Sequence, residues 1–213
     1  MLQKFRNSFK QYGALNFPVV LLKSALQKFS IYIESFIVYG KKLNSIRSLN
    51  SPTGYLIREI DLEALKNAGS MHFNDSNISR FTERINSGGY SVFGAYKGDD
   101  LVAYAWMSME SIELPGFIRN HGLVPDEDEA YLLDAFCLPE HRGNGLQKVL
   151  LTARMNKVYQ EGKGKVITIV RKENLSSRTA ILKSGFRAER KLIFRRIGNN
   201  QQFLQKSVSS FNQ

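Results

Sequence analysis

In the segment LLDAFCLPEHRGNGLQKVLL, residues 132–151, a hydrophobic run stops at Pro139 and Arg-Gly-Asn-Gly opens an amphipathic pattern. A helix starting there turns the backbone N–H groups of Gly143, Asn144, Gly145, Leu146 and Gln147 toward one point. Unpaired donors at the positive end of a helix dipole attract phosphate. Gly143 and Gly145 let the backbone come close to an anion and take positive φ, and Arg142 and Lys148 add charge. The chemistry implied is the binding of a phosphorylated ligand, although a Gly-x-Gly turn alone is a common feature.

Two carboxylates stand near this loop in sequence. Asp134 lies inside an otherwise apolar run, where burial would raise its pKa toward that of a useful base; the alternative is an acid that pairs with an arginine or bonds a loop. Glu129 begins the same run and is the second candidate base. Cys137 is the only cysteine, which excludes a disulfide framework within the chain and a Cys-clustered zinc site. As a nucleophile it would need a base partner that the spacing does not supply, so a buried core thiol is the expected role. His72, His121 and His141 are isolated, and no metal site is expected.

The elements that must position these groups alternate. Strands are expected at 55–60, 90–96, 101–109, 131–138, 165–170, 191–197 and 203–208, and helices at 61–67, 74–86, 145–160 and 174–184. Lys-Gly-Asp-Asp at 97–100 separates two aromatic and β-branched runs and marks a hairpin. Residues 110–129, with Pro115, Gly116, Gly122 and Pro125, read as a long irregular loop. The fold class expected is mixed α/β, with a partly parallel sheet of six or seven strands flanked by helices.

The first fifty residues differ from the rest. They hold eight Lys and Arg against the single acid Glu34, out of a net charge of +11. Apolar residues at Val19, Leu22, Leu26, Phe29, Ile33 and Phe36 step at helical spacing, so residues 1–50 are expected to be a basic, amphipathic helical extension to a domain at 51–213. Its stripe suits either the protein's own core or a membrane surface. No stretch is long and apolar enough to span a bilayer, and a cytoplasmic protein, peripheral to a membrane in one version, is the expectation. The basic residues accompany no nucleic-acid motif, and nucleic acid is not an expected partner.

The loop resembles motif A of the GNAT superfamily of N-acetyltransferases, whose pattern R/Q-x-x-G-x-G/A cradles the coenzyme A pyrophosphate. Arg142 and Gly145 match; Gln147 departs from the usual Gly or Ala. NLSSRTAILKSGF, residues 174–186, resembles motif B of that superfamily through Asn174, Ser177, Lys183, Gly185 and Phe186, with Ile181 where a tyrosine acid is frequent. The resemblance is sharp over 131–186 and does not reach residues 1–50. It implies a GNAT-like sheet, acyl-CoA (acetyl-CoA) as cosubstrate and direct attack by a primary amine of a small molecule or amino sugar. It also implies that the backbone at Phe136, Cys137 and Leu138 aligns the pantetheine arm, and that Asn174 and Ser177 serve the coenzyme. Tyr159 and Tyr131 are candidates to replace the missing acid. A peptide acceptor, a longer acyl chain, a non-catalytic coenzyme-binding module and a homodimer are the other options.

Overall fold

The structure, a computed structural model, describes residues 2–114, 118 and 123–208, with side chains described from Tyr12 onward except Leu15. Pro115, Gly116, His121 and Gly122 of the expected irregular loop lie outside the described residues. The elements in chain order are α1 (Leu2–Gln27), β1 (Ile31–Lys42), β2 (Leu56–Ile60), α2 (Leu62–Lys66), α3 (Asp75–Ser87), β3 (Tyr90–Lys97), β4 (Asp100–Ser108) and β5 (Glu129–Cys137). They continue with α4 (Leu146–Gln160), β6 (Lys165–Arg171), α5 (Leu175–Lys183), β7 (Arg187–Ile197) and β8 (Asn200–Ser207). The strands form one mixed sheet in the order β2-β3-β4-β5-β6-β1-β7-β8. Two compact units divide the chain: Met1–Lys41 with Gly116–His121 and Thr168–Gln213, and Lys42–Pro115 with Gly122–Ile167.

The second unit is an antiparallel meander of β2, β3, β4 and β5, joined in parallel to the start of β6. Gly98, at φ 61, makes the β3–β4 turn that the Lys-Gly-Asp-Asp sequence predicts. Asp61 caps α2 by accepting from the Ala64 amide. Asn74 and Asn77 exchange side-chain-to-backbone bonds at the start of α3 in a capping box, satisfying two amides that the helix itself cannot. Trp106, Phe81, Leu65, Met107 and Leu150 are sealed from solvent, and rings of Phe73, Phe81 and Tyr104 meet edge-on. Burying each such side chain contributes roughly 2 kcal/mol. Residues 43–51 have no regular structure, and Arg47 anchors them by exchanging two hydrogen bonds with Asn156 of α4.

The first unit corrects the expected helical extension. The helix stops at Gln27, and residues 31–42 pair antiparallel with β7, from Ile31↔Ile197 to Gly40↔Arg187. The sheet therefore has eight strands rather than six or seven. Phe29, Ile33 and Phe36 fall at helical spacing by coincidence. The same segment, IYIESFIVY, is rich in β-branched and aromatic residues, whose side chains pack well on a pleated surface. Its period of two was masked because Glu34 occupies a buried position, at 1% exposure, on the face that also carries Phe36.

Glu34 is tolerated there because it is surrounded by donors. Lys23 and Gln27 of α1 and Arg171 at the end of β6 all reach its carboxylate, and Lys23 also bonds Glu173 at 2.8 Å. So α1 turns polar side chains inward, while Val19, Leu21 and Leu22 of its apolar stripe are exposed. Glu34→Ala removes the buried acid shared by Lys23, Gln27 and Arg171, while Lys23 keeps Glu173, and the expected loss is about 2 kcal/mol in urea unfolding. A loss below about 0.5 kcal/mol would mean that water already solvates the cluster.

Candidate active site

The loop after β5 is built to keep its amides open. Pro139 starts a short 3-10 turn at 139–141, which reverses the chain at the end of the strand. Arg142 is extended, and its Nε donates to the Cys137 carbonyl at 3.1 Å, tying the loop back to the strand end. His141 Nδ1 and the Tyr55 hydroxyl are 3.0 Å apart, and the Asn144 amide donates to the His141 carbonyl. Gly143 and Gly145 have φ of 85 and 75, a region that costs any residue with a Cβ about 1 kcal/mol or more.

Gly145 is the N-cap of α4, and no side chain caps it. Lys148 and Val149 both donate to the Gly145 carbonyl, so the helix's own bonding begins there and leaves the preceding amides to the loop. A Cβ built on Gly143 or Gly145 meets nothing within 4 Å, so the space in front of the loop is open. Arg142, Gly143, Asn144, Gly145, Gln147 and Lys148 are exposed around this opening, and Leu146 is buried beneath it. Open space, uncapped amides and nearby cations fit a phosphate-bearing group.

The strand leading to the loop carries a bulge. Ala105 pairs with Ala135 and Trp106 with Leu133, which leaves Asp134 without a partner across β4 and at φ 44. The parallel ladder with β6 registers three pairs and ends at Tyr131↔Ile167, while β5 runs on to Cys137. Ala135 and Phe136 are exposed and Leu138 is half-buried, so the strand end that was expected to serve a pantetheine arm is accessible.

Asp134 is half-buried and ion-paired. Arg84 Nη1 donates to its Oδ2 at 2.8 Å and Arg80 lies 3.5 Å from the same oxygen. Arg84 also grips Glu113 with Nε and Nη2, at 2.8 and 2.7 Å, and stacks 5.0 Å over the Trp106 ring. Burial works against the Arg84 charge, but Asp134 and Glu113 outweigh it and hold its pKa above the ordinary value. Of the two readings of Asp134, the arginine partner is thus present. Arg80, Arg84 and Glu113 were missed in the sequence because α3 and the following loop meet β5 only in the fold; the sole signal was a pair of arginines one helical turn apart.

The other acid-base candidates lie elsewhere. Glu129 is buried at the opposite end of β5, about 25 Å from Cys137 at the rise of an extended strand, and is bound to Lys165 at 2.8 Å. It also accepts from the Asp126 amide, closing the loop that enters the strand. Tyr159 sits about 20 Å along α4 from Gly145 and is partly exposed. Tyr131 is buried and donates to the Glu113 carbonyl; burial pushes its hydroxyl pKa, and that of Tyr104, well above the ordinary phenol value. Burial likewise pushes the Cys137 thiol up, and Sγ donates to the Leu138 carbonyl.

In the first unit, Asn174 is the N-cap of α5 and accepts from the Ser177 amide and the Ser176 hydroxyl. Gly185, at φ 82, ends that helix, and Lys41 donates to the Ser184 carbonyl beside it. Lys41 also lies over the buried Phe186 ring. Among the described residues no group of His, Cys, Asp and Glu is placed to hold a metal.

Residues 55–186 match the family model described as acetyltransferase (GNAT) family. The chain belongs to that family. A search of curated protein sequences returns no match. Among solved structures, a Drosophila protein aligns with 86% of this chain and 58% of its own at 12% identity, with a TM-score of 0.55. A GCN5-related N-acetyltransferase from Kribbella flavida aligns with 84% of this chain and 64% of its own at 11% identity, with a TM-score of 0.53. This chain therefore spans less than two thirds of either structure, and at such identities the likeness establishes the GNAT fold alone. The aminoglycoside acetyltransferase AAC(6')-Iy, solved with the bisubstrate analogue CoA-S-monomethyl-acetylneamine, aligns with 62% of this chain at 19% identity and a TM-score of 0.47.

The buried, high-pKa thiol of this GNAT chain makes a definite expectation. Cys137 should react with iodoacetamide at neutral pH more than tenfold more slowly than free cysteine, speeding up only as pH rises, because thiolate is the reactive form. Labelling as fast as free cysteine at pH 7 would show an exposed, activated thiol instead.

Proposed function

We propose that the chain transfers an acetyl or other acyl group from acyl-CoA to a primary amine of a small molecule such as an amino sugar. The observation that carries this reading is the N-terminus of α4, which has no side-chain cap, has two positive-φ glycines opening onto free space, and follows a strand whose end is accessible. The loop Arg142–Gln147 takes the pyrophosphate, its amides acting as fixed donors and Arg142 and Lys148 as counter-charges. The backbone of Phe136 and Cys137 aligns the pantetheine arm and polarises the thioester carbonyl, while the Leu138 amide is held by the Val102 carbonyl.

The cosubstrate supplies an activated acyl carbon: the amine forms the new C–N bond and the C–S bond breaks. The residues of this chain handle the protons. Both arginines take Asp134 Oδ2, which leaves Oδ1 for a donor from the acceptor, and we assign it the amine proton, directly or through one water. Arg84 and Arg80 hold that carboxylate in place, and the bulge turns it out of the ladder. Ile181 has no proton to give, so water at the exposed end of β5 protonates the departing thiolate.

The test is a panel of amines, amino sugars included, incubated with acetyl-CoA while free thiol is followed. Gly145→Asp, whose side chain tolerates positive φ but sets a negative charge against phosphate, should weaken calorimetric CoA affinity at least tenfold with little change in stability. Unchanged affinity in the folded variant would overturn the phosphate assignment. Asp134→Asn should lower kcat by about a hundredfold while leaving CoA affinity intact. A lower melting temperature with an unaltered kcat would make Asp134 a structural partner of Arg84 only. Tight CoA binding with no thiol released for any amine would mark a non-catalytic module.

A further inference from the structure

The positive charge of the protein is confined to one unit. Residues 1–41, 116–121 and 168–213 hold 17 Lys and Arg against three Asp and Glu, whereas residues 42–115 and 122–167 hold 13 against 16. Within the first unit, one corner joins two turns. The Gly198 amide of the β7–β8 turn donates to the Ser30 carbonyl of the α1–β1 turn at 3.2 Å, and Ile31 pairs with Ile197.

That corner is apolar and uncovered. Phe29 is 77% exposed, Ile197 64% and Ile33 41%. Phe29 lies in the turn beyond the end of α1, and Ile33 and Ile197 lie on the sheet face opposite the one where Lys23 and Gln27 meet Glu34. Lys28 and Arg195 stand exposed among them, Arg195 as the register partner of Ile33. Arg196 braces the tip, with its guanidinium over Tyr32 and Nε donating to the Gly198 carbonyl. The segments 19–33 and 190–208, which build the corner, contain no Asp or Glu and seven Lys and Arg.

We propose that this corner docks the protein on an anionic lipid surface. Protruding Phe and Ile side chains bury in the acyl boundary while flanking Lys and Arg stay at the level of anionic headgroups. Charge decides the occupant. A second copy would bring an equally cationic corner against the first, and like charges oppose that pairing. Nucleic acid would use stacking rings, and the exposed apolar residues here are mainly aliphatic. The membrane contact expected of an N-terminal helix is thereby moved to a corner built from α1, β1 and the β7–β8 hairpin, and it is independent of the acyl-transfer reading.

The experiment is co-sedimentation of the full chain with vesicles of phosphatidylcholine alone or with about 30% phosphatidylserine, at low and high salt. The proposal expects binding to the anionic vesicles, at least tenfold weaker binding to neutral ones, and a similar loss when salt rises from about 50 to about 500 mM. The double variant Phe29→Ser, Ile197→Ser and the single variant Arg195→Glu should each weaken binding tenfold or more with unchanged circular dichroism and melting temperature, since these side chains are exposed. Equal binding to both vesicle types, or full binding by both variants, would overturn the proposal. So would a dimer in sedimentation analysis that the Ile197 variant abolishes, or retention by polynucleotide but not by vesicles.

Discussion

A buried guanidinium organises the candidate site. Arg84 projects from α3 between two carboxylates, Glu113 from the loop after β4 and Asp134 from the bulge of β5, with Trp106 beneath it. Remove it, and Asp134 has little reason to sit at positive φ in the middle of an apolar strand, because a left-handed residue there interrupts pairing and costs strain. The bulge in turn sets how β5 runs into the Pro139 turn, and so where the amides of the loop at 142–147 point. An arrangement of this kind costs stability in desolvation and offers geometric definition in return.

Most of the geometry of the loop could be read from sequence, because it depends on local rules. Proline ends a strand, glycine permits positive φ, and the first amides of a helix have no internal partner; all three act within ten residues of Gly145. The helices expected at 74–86 and 174–184 begin on the asparagines that cap them for the same reason. Long-range facts were not. Nothing near Asp134 in sequence announces Arg84, fifty positions earlier, so its environment stayed open between an apolar pocket and an ion pair. Glu129 looked like Asp134 from spacing, but Lys165 lies across a parallel ladder that only topology creates.

The N-terminal segment shows why a hydrophobic period can mislead. A stripe at steps of three and four describes both a helix face and, by chance, part of a strand, and the choice falls to burial that sequence does not display. Here a buried acid sat where alternation calls for an apolar residue, and the alternation went unseen. The same acid explains how the helix lies: once Glu34 is inside, Lys23 and Gln27 follow it, and Leu21 and Leu22 of α1 are turned to the outside.

The placement of β1 also bears on how the molecule is made. Its partner β7 lies far along the chain, Ile31 meeting Ile197, so a ribosome synthesises nearly all the intervening protein before the strand can pair. During that interval IYIESFIVY is an unpaired run of high β-propensity, the kind of segment that recruits other chains. The negative charge of Glu34 at its centre interrupts the run while it is exposed and becomes a buried ion-pair partner once it is not. One carboxylate thus guards the nascent chain and then fastens the finished one.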